Sequence, residues 1–183
     1  MKNRQAAALL LSLVVVLATA AVATATSITT TATVTGTGSV SLTAGATASF
    51  SDTLDGTDQT VTYQIPLTVI DARGTGGGWN MTVTSTQFTT GTHTLATGAS
   101  SITTIATACN AGSTCTNPTN AVTVPIAIPA AVSAPAAVKF FNSAANTGMG
   151  SFTVTPTISV TIPGNAYAGS YASTVTVAVA AGP

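Results

Sequence analysis

Apolar and polar residues alternate along much of the chain with a period of two. In TVTYQIPLTVID, Val61, Tyr63, Ile65, Leu67 and Val69 are apolar, and Thr60, Thr62, Gln64 and Thr68 are polar. Successive side chains of a strand point to opposite faces, so this segment predicts a strand with one buried face. Trp79, Met81 and Val83 repeat the pattern in WNMTVTST, and Phe152, Val154, Ile158, Val160 and Ile162 repeat it in FTVTPTISVTI. At the end of the chain, YASTVTVAVA places Tyr171, Val175, Val177 and Val179 on one face. Further strands are predicted over Ser27–Val34, Val40–Phe50, Ser101–Ala108, Ala121–Ile128 and Val138–Asn142.

Turn-forming clusters separate these segments: TGTG, DGTD, RGTGGG, TTGTH, NPTN and IPGNAYAG. Many short strands with frequent turns predict an all-β fold, an antiparallel, immunoglobulin-like two-sheet β-sandwich in a single domain. Pro66 and Pro156 fall inside predicted strands. They are expected at sheet edges, or where the missing N–H points away from the neighbouring strand. AIPAAVSAPAAVKFF is the one stretch where a helical or extended connector is expected to interrupt the pattern.

The N-terminus changes the picture of where the protein works. Lys2 and Arg4 precede an apolar run from Ala6 to Leu17, followed by Ala-x-Ala sequences at Ala21–Ala23 and Ala23–Ala25. This is the layout of a secretory signal peptide, predicted over residues 1–25, with the β-domain over 26–183. The apolar run is shorter than the roughly 20 residues of a membrane-spanning helix. No second long apolar segment and no LPxTG-like sorting signal follows it, so neither a transmembrane nor a covalent anchor is expected.

Charged residues make up 4% of the chain and hydrophobic residues 45%. After residue 25 the basic residues are Arg73 and Lys139, against Asp52, Asp55, Asp58 and Asp71, and glutamate is absent. Nucleic acid is therefore excluded as a partner, since neutralising phosphates takes clustered Lys and Arg. Disorder is excluded too, because it needs low hydrophobicity and high charge. Cys109 and Cys115 in CNAGSTC read as a local disulfide in an exported chain, stabilising by about 2–3 kcal/mol. A zinc site would need two ligands beyond the cysteines and the lone His93 cannot supply both, so neither a metal nor any other cofactor is expected.

Candidate chemistry is sparse. His93 stands alone in a turn-like TTGTHTL with no G-x-S-x-G elbow, so no enzyme is expected. The aspartates of DTLDGTDQ lack the alternate spacing and closing glutamate of a calcium loop and read as a solvated acidic turn. RGTGGG lacks the G-K-[ST] ending of a phosphate loop, so its glycines are read as backbone positions needing positive φ or close approach. Asn80-Met81-Thr82 is formally a glycosylation sequon, here lying on a strand. Asp71 and Arg73 flank Ala72 and share a face on an extended chain. They read as a charge-assisted clamp at the strand exit, with a ligand contact by Arg73 as the alternative. Trp79 shares its parity with Met81 and Val83, which puts it in the core. The alternative is a place at the rim, stacking on a sugar or peptide.

VIDARGTGGGWNMTVTSTQFTTG resembles the first half of the WxL domain of bacterial cell-surface proteins: a strand, an Asp-x-Arg-Gly loop and a Gly-Trp start to the next strand. NAYAGSYASTVTVAVAAGP is similar to that domain's closing segment. The resemblance spans Thr26 to Pro183. The first signature reads Trp79-Asn80-Met81, with methionine in the place of leucine, a change of nearly conserved volume. The second falls at Val177-Ala178-Val179 and lacks its tryptophan. The resemblance implies a β-sandwich secreted to the cell surface and held non-covalently by the envelope, through peptidoglycan, another wall polymer or a partner surface protein. Asp71, Arg73 and Trp79 are the candidate binding residues. The competing expectation is a structural subunit of a surface filament or layer, a homo-oligomer joined through uncharged strand edges such as SITTTATVTGTGSVSLTA.

Overall fold

The computed structural model of the protein describes residues 31–183 apart from 37, 46 and 47. The chain divides at residue 33, and the second unit, residues 34–183, is compact. The predicted signal peptide and residues 27–30 of the first predicted strand lie outside the described residues. Residues 31–34 of that strand are irregular and exposed rather than extended in a sheet.

The second unit is built of ten strands in two sheets, with no helix among the described residues. The larger sheet contains β1 (Val40–Ala44), β2 (Gln59–Gln64), β3 (Leu67–Asp71), β5 (Ser100–Cys109), β6 (Ile126–Ala127) and β9 (Gly150–Ile162). Its order is β1-β3-β9-β5-β6, with β2 also on β9. The smaller sheet has β4 (Trp79–Thr86) at its centre, β10 (Val175–Ala181) on one side, and β8 (Val138–Ser143) and β7 (Ala130–Ala131) on the other. All pairings are antiparallel except β4 with β7, whose parallel alignment sets Ser85 beside Ala130. The all-β, two-sheet sandwich expected from the alternation is the observed fold.

Leu67, Val69, Trp79, Met81, Val83, Phe152, Val154, Ile158 and Val160 form a continuous buried core between the sheets. The alternating threonines and serines of the same strands face outward. β2 and β3 form one long strand in a single register on β9, since Gln64 pairs with Thr157 and Leu67 with Val154. Ile65 and Pro66 lie between the two segments. The Pro66 carbonyl accepts from Gly45 N at 2.9 Å, so the proline's missing N–H points away from β9.

Pro156 departs from the expectation. It is buried in the central strand β9, flanked by neighbours on both sides. Its carbonyl accepts from Ile65 N at 3.3 Å, so the bond its own N–H would have made was directed at Ile65. The sheet loses that one ladder bond at the break between β2 and β3.

Two β-bulges account for positions that break strict alternation. Between Ile102 and Thr104 the β5–β9 register shifts by one residue, which returns both Ile102 and Ile105 to the core side. On β8 the register shifts opposite Met81/Thr82, and the adjacent Phe140 and Phe141 are both buried. Elsewhere the strands are shorter than the pattern predicts. Val40–Phe50 reduces to Val40–Ala44, Ala121–Ile128 to Ile126–Ala127, and the last strand begins at Val175, leaving Tyr171 in the preceding loop. AIPAAVSAPAAVKFF is an extended connector that contributes β7 and the start of β8.

The Cys109–Cys115 disulfide closes the loop after β5, with its Cα atoms 6.1 Å apart. Asn110 within that loop donates to Ser151 Oγ at 2.8 Å and accepts from Thr153 Oγ1 at 2.6 Å. The bridge closes the loop and Asn110 fixes it against the first residues of β9.

Candidate functional site

Asp71 and Trp79 stand at the two ends of the crossing from β3 in one sheet to β4 in the other. Asp71 continues the inward set Leu67 and Val69, and its side chain is 1% exposed. A buried carboxylate needs partners, and Arg73 supplies them. Arg73 Nε donates to Oδ1 at 2.8 Å, Nη2 donates to Oδ2 at 2.7 Å, and the Arg73 backbone N–H reaches Oδ1 at 3.1 Å. Nη2 also donates to the Gly78 carbonyl at 2.5 Å, drawing the start of β4 onto the end of β3. Gly78 has a φ of +66° and lies so close to β8 that a Cβ would sit 2.5 Å from the Ser143 carbonyl. No larger residue fits there without moving the strand.

Trp79 is fully buried. Its ring stacks on Phe141 with centroids 5.1 Å apart and planes 14° from parallel. Its indole N–H donates to the Gly148 carbonyl at 2.8 Å, so the one polar atom of the side chain is satisfied. Gly148, at φ +70°, lies against the indole, where a Cβ would come within 2.6 Å of Nε1. The structure therefore gathers Asp71, Arg73 and Trp79 into one corner, joined through Gly78, and turns all three inward. The second signature position meets the first across the β4–β10 pair: Val177 opposite Val83, and Val179 opposite Met81. Both valines are half-buried and pack on the core.

The hydrogen bonds from Arg73 are the largest influence holding the Asp71 carboxyl below its ordinary value of 3.8, with burial opposing them. A depressed folded-state pKa adds stability above the unfolded value, and that stability is lost as pH falls through the folded value. The melting temperature of the domain is therefore expected to fall as pH drops below about 4. Asp71→Asn should be less stable at neutral pH and show a flatter profile in that window. Thermal melts of both proteins from neutral to acid pH check this, and parallel profiles would dismiss Asp71 as the acid-sensitive group. Asp55, exposed and likewise lowered by its bonds from Thr57, contributes the slope that remains.

The other sequence candidates are dispersed. Asp52 accepts from Thr53 N, Asp55 from Thr57, and Asp58 from Gly164 N at 2.9 Å. Among the described residues no three His, Cys, Asp or Glu side chains gather in a metal-binding group. Asn80 of the sequon donates its amide to the Gly182 carbonyl at 2.8 Å. His93 lies half-buried, stacked on Tyr167 with ring centroids 3.8 Å apart.

That last contact belongs to a feature the alternation does not foretell. At the end of the sandwich where β1 stops and β10 begins, a cleft of about 1070 Å³ is lined by Phe50, Tyr63, Phe88, Tyr167 and Tyr171 among others. Phe50 stacks on Tyr63 with centroids 5.5 Å apart and meets Phe88 edge-on at 6.0 Å. Burial pushes the Tyr63 phenol above its ordinary value. Tyr171 donates its hydroxyl to the Tyr167 carbonyl at 3.0 Å. These residues come from four separate segments of sequence, and only the topology assembles them.

A two-sheet β-sandwich cornered by a buried Asp-Arg-Gly-Trp clamp defines a β-domain whose signature serves its core. The chain belongs to the WxL family: the model of the WxL domain, described as surface cell wall-binding, matches residues 36–183. The protein is accordingly one of the cell surface and cell wall. No curated protein and no solved structure matches it.

Proposed function

We propose that the domain holds the protein to the cell wall by non-covalent binding of a wall polymer, peptidoglycan, and catalyses no reaction. The observation that carries this reading is the match to a cell-wall-binding family along residues 36–183. The charge distribution supports it. Asp71 and Arg73 are spent on each other, and Lys139 donates to Asn142 Oδ1 at 3.1 Å. The outward faces of β2, β4 and β9 present threonine, serine and asparagine. A polymer held by such a surface is held by neutral hydrogen bonds and apolar contact rather than by ion pairs. Residues 1–25 serve, on this reading, as the export signal.

Residues 26–183, incubated at micromolar concentration with purified sacculi and centrifuged, are expected in the pellet. The bound fraction should change little between about 0.1 M and 1 M salt, over which the screening length shrinks from about 10 Å to about 3 Å. Failure to sediment removes the reading, and sedimentation only at low salt removes its uncharged basis. Strand-edge assembly into a filament is the second reading, favoured by β10. This strand lies at a sheet edge and carries no charge in VTVAVAA. It requires polymers in electron micrographs of the protein without walls.

A further inference from the structure

The aromatic cleft has features that the core does not account for. Tyr167 is 64% exposed, yet its ring is held in place. His93 backs one face, and the Tyr171 hydroxyl pins the Tyr167 carbonyl. An exposed ring with a rigid support contributes little to folding and is poised to stack on something else. Behind it, Phe50, Tyr63 and Phe88 form a packed apolar floor. All three tyrosines of the chain line this one cleft. Its size matches the upper end of small-ligand sites, roughly 300–1,000 Å³.

The polar groups of the lining are neutral apart from one carboxylate. Ser49, Ser51, Thr53 and Ser170 contribute hydroxyls, Asp52 is the single charge, and no Lys or Arg takes part. The two components of peptidoglycan differ in the chemistry such a site can hold. Stem peptides carry carboxylates beside their ammonium groups, and this lining offers a desolvated carboxylate no Lys or Arg partner and sets Asp52 against it. A glycan strand of N-acetylated hexoses is amphiphilic. Its C–H faces and acetyl methyls suit ring faces, and its hydroxyls and amides suit the serines and threonines.

We propose that this cleft is a saccharide-binding site that takes the N-acetylated glycan of the wall, with Tyr167 as the stacking platform. The inference rests on the wall-polymer reading above and gives it a location and a ligand class. The buried signature corner then positions strands, and the cleft makes the contact.

The test uses two measurements on residues 26–183: sedimentation with sacculi, and calorimetric titration with tri-N-acetylchitotriose. The wild type is expected to bind the trisaccharide and to be displaced from sacculi by it. Tyr167→Ala should weaken both by about tenfold, the equivalent of one stacking contact. Tyr167→Phe should retain most binding, and Val132→Ala, exposed on the connector after β7, should change nothing. Because Tyr167 is exposed, all variants should melt with the wild type. If the wild type sediments but ignores the trisaccharide and Tyr167→Ala sediments equally well, the cleft assignment falls while wall binding stands. Displacement by a lysine-containing stem peptide instead of the trisaccharide overturns the glycan class. A wild type that binds the trisaccharide but not sacculi keeps the cleft and removes the wall reading, and one that binds neither removes both.

Discussion

Replacing Trp79 by alanine is expected to cost about 3–5 kcal/mol of folding stability, the range for deleting a large buried aromatic. The indole is fully buried and stacked on Phe141, so its removal leaves a cavity between the sheets. Trp79→Phe refills most of that volume but offers no donor to the Gly148 carbonyl, and a buried acceptor left unpaired costs about 1–3 kcal/mol. Urea unfolding should therefore rank wild type, Phe and Ala in that order. A Trp79→Ala protein of unchanged midpoint that no longer sediments with sacculi would move the tryptophan from the core to the binding surface.

Arg73→Met should be comparably severe. It keeps the aliphatic stem but leaves the buried Asp71 carboxylate without its two guanidinium bonds. Breaking one side of such a pair costs about 3–5 kcal/mol, chiefly because the remaining charge is stranded. The loss of the Gly78 contact adds to it. If the stranded charge is the main cost, adding Asp71→Asn to Arg73→Met should recover part of the stability. A double-mutant cycle by chemical unfolding measures that coupling. Strictly additive effects would show that the two side chains act independently.

The strand alternation was legible where one strand pairs in one register. From Thr60 to Asp71 the inward set Val61 to Val69 is read directly, and the parity of Trp79 with Met81 and Val83 holds in the structure. Bulges were not legible, because a one-residue shift is decided by the partner strand. Ile102 and Ile105, and the adjacent Phe140 and Phe141, reconcile with two faces only once β9 and β4 lie beside them. Pro156 misleads for a similar reason. The rule confining proline to edges concerns a lost bond, and here the loss is one bond, opposite Ile65 at the break between β2 and β3. The clamp was readable in the sequence, since Asp71 and Arg73 are two residues apart. The cleft was not, since Phe50, Tyr63, Phe88 and Tyr167 share neither segment nor period.

The registers at the corner also give the domain a polarity useful at the bench. β1 starts at Val40 beside Asp71, and β10 finishes at Ala181 beside Trp79. Gly182 N then donates to the Gly78 carbonyl at 3.1 Å, tying the last residues to the same place. Ala44 and Val175, at the other ends of those strands, border the cleft. The seven residues of β10 separate the two regions by roughly 20 Å. A fluorophore, affinity tag or sensor-chip tether joined after Pro183 is thus carried on the side away from the aromatic rings, leaving them open to solution.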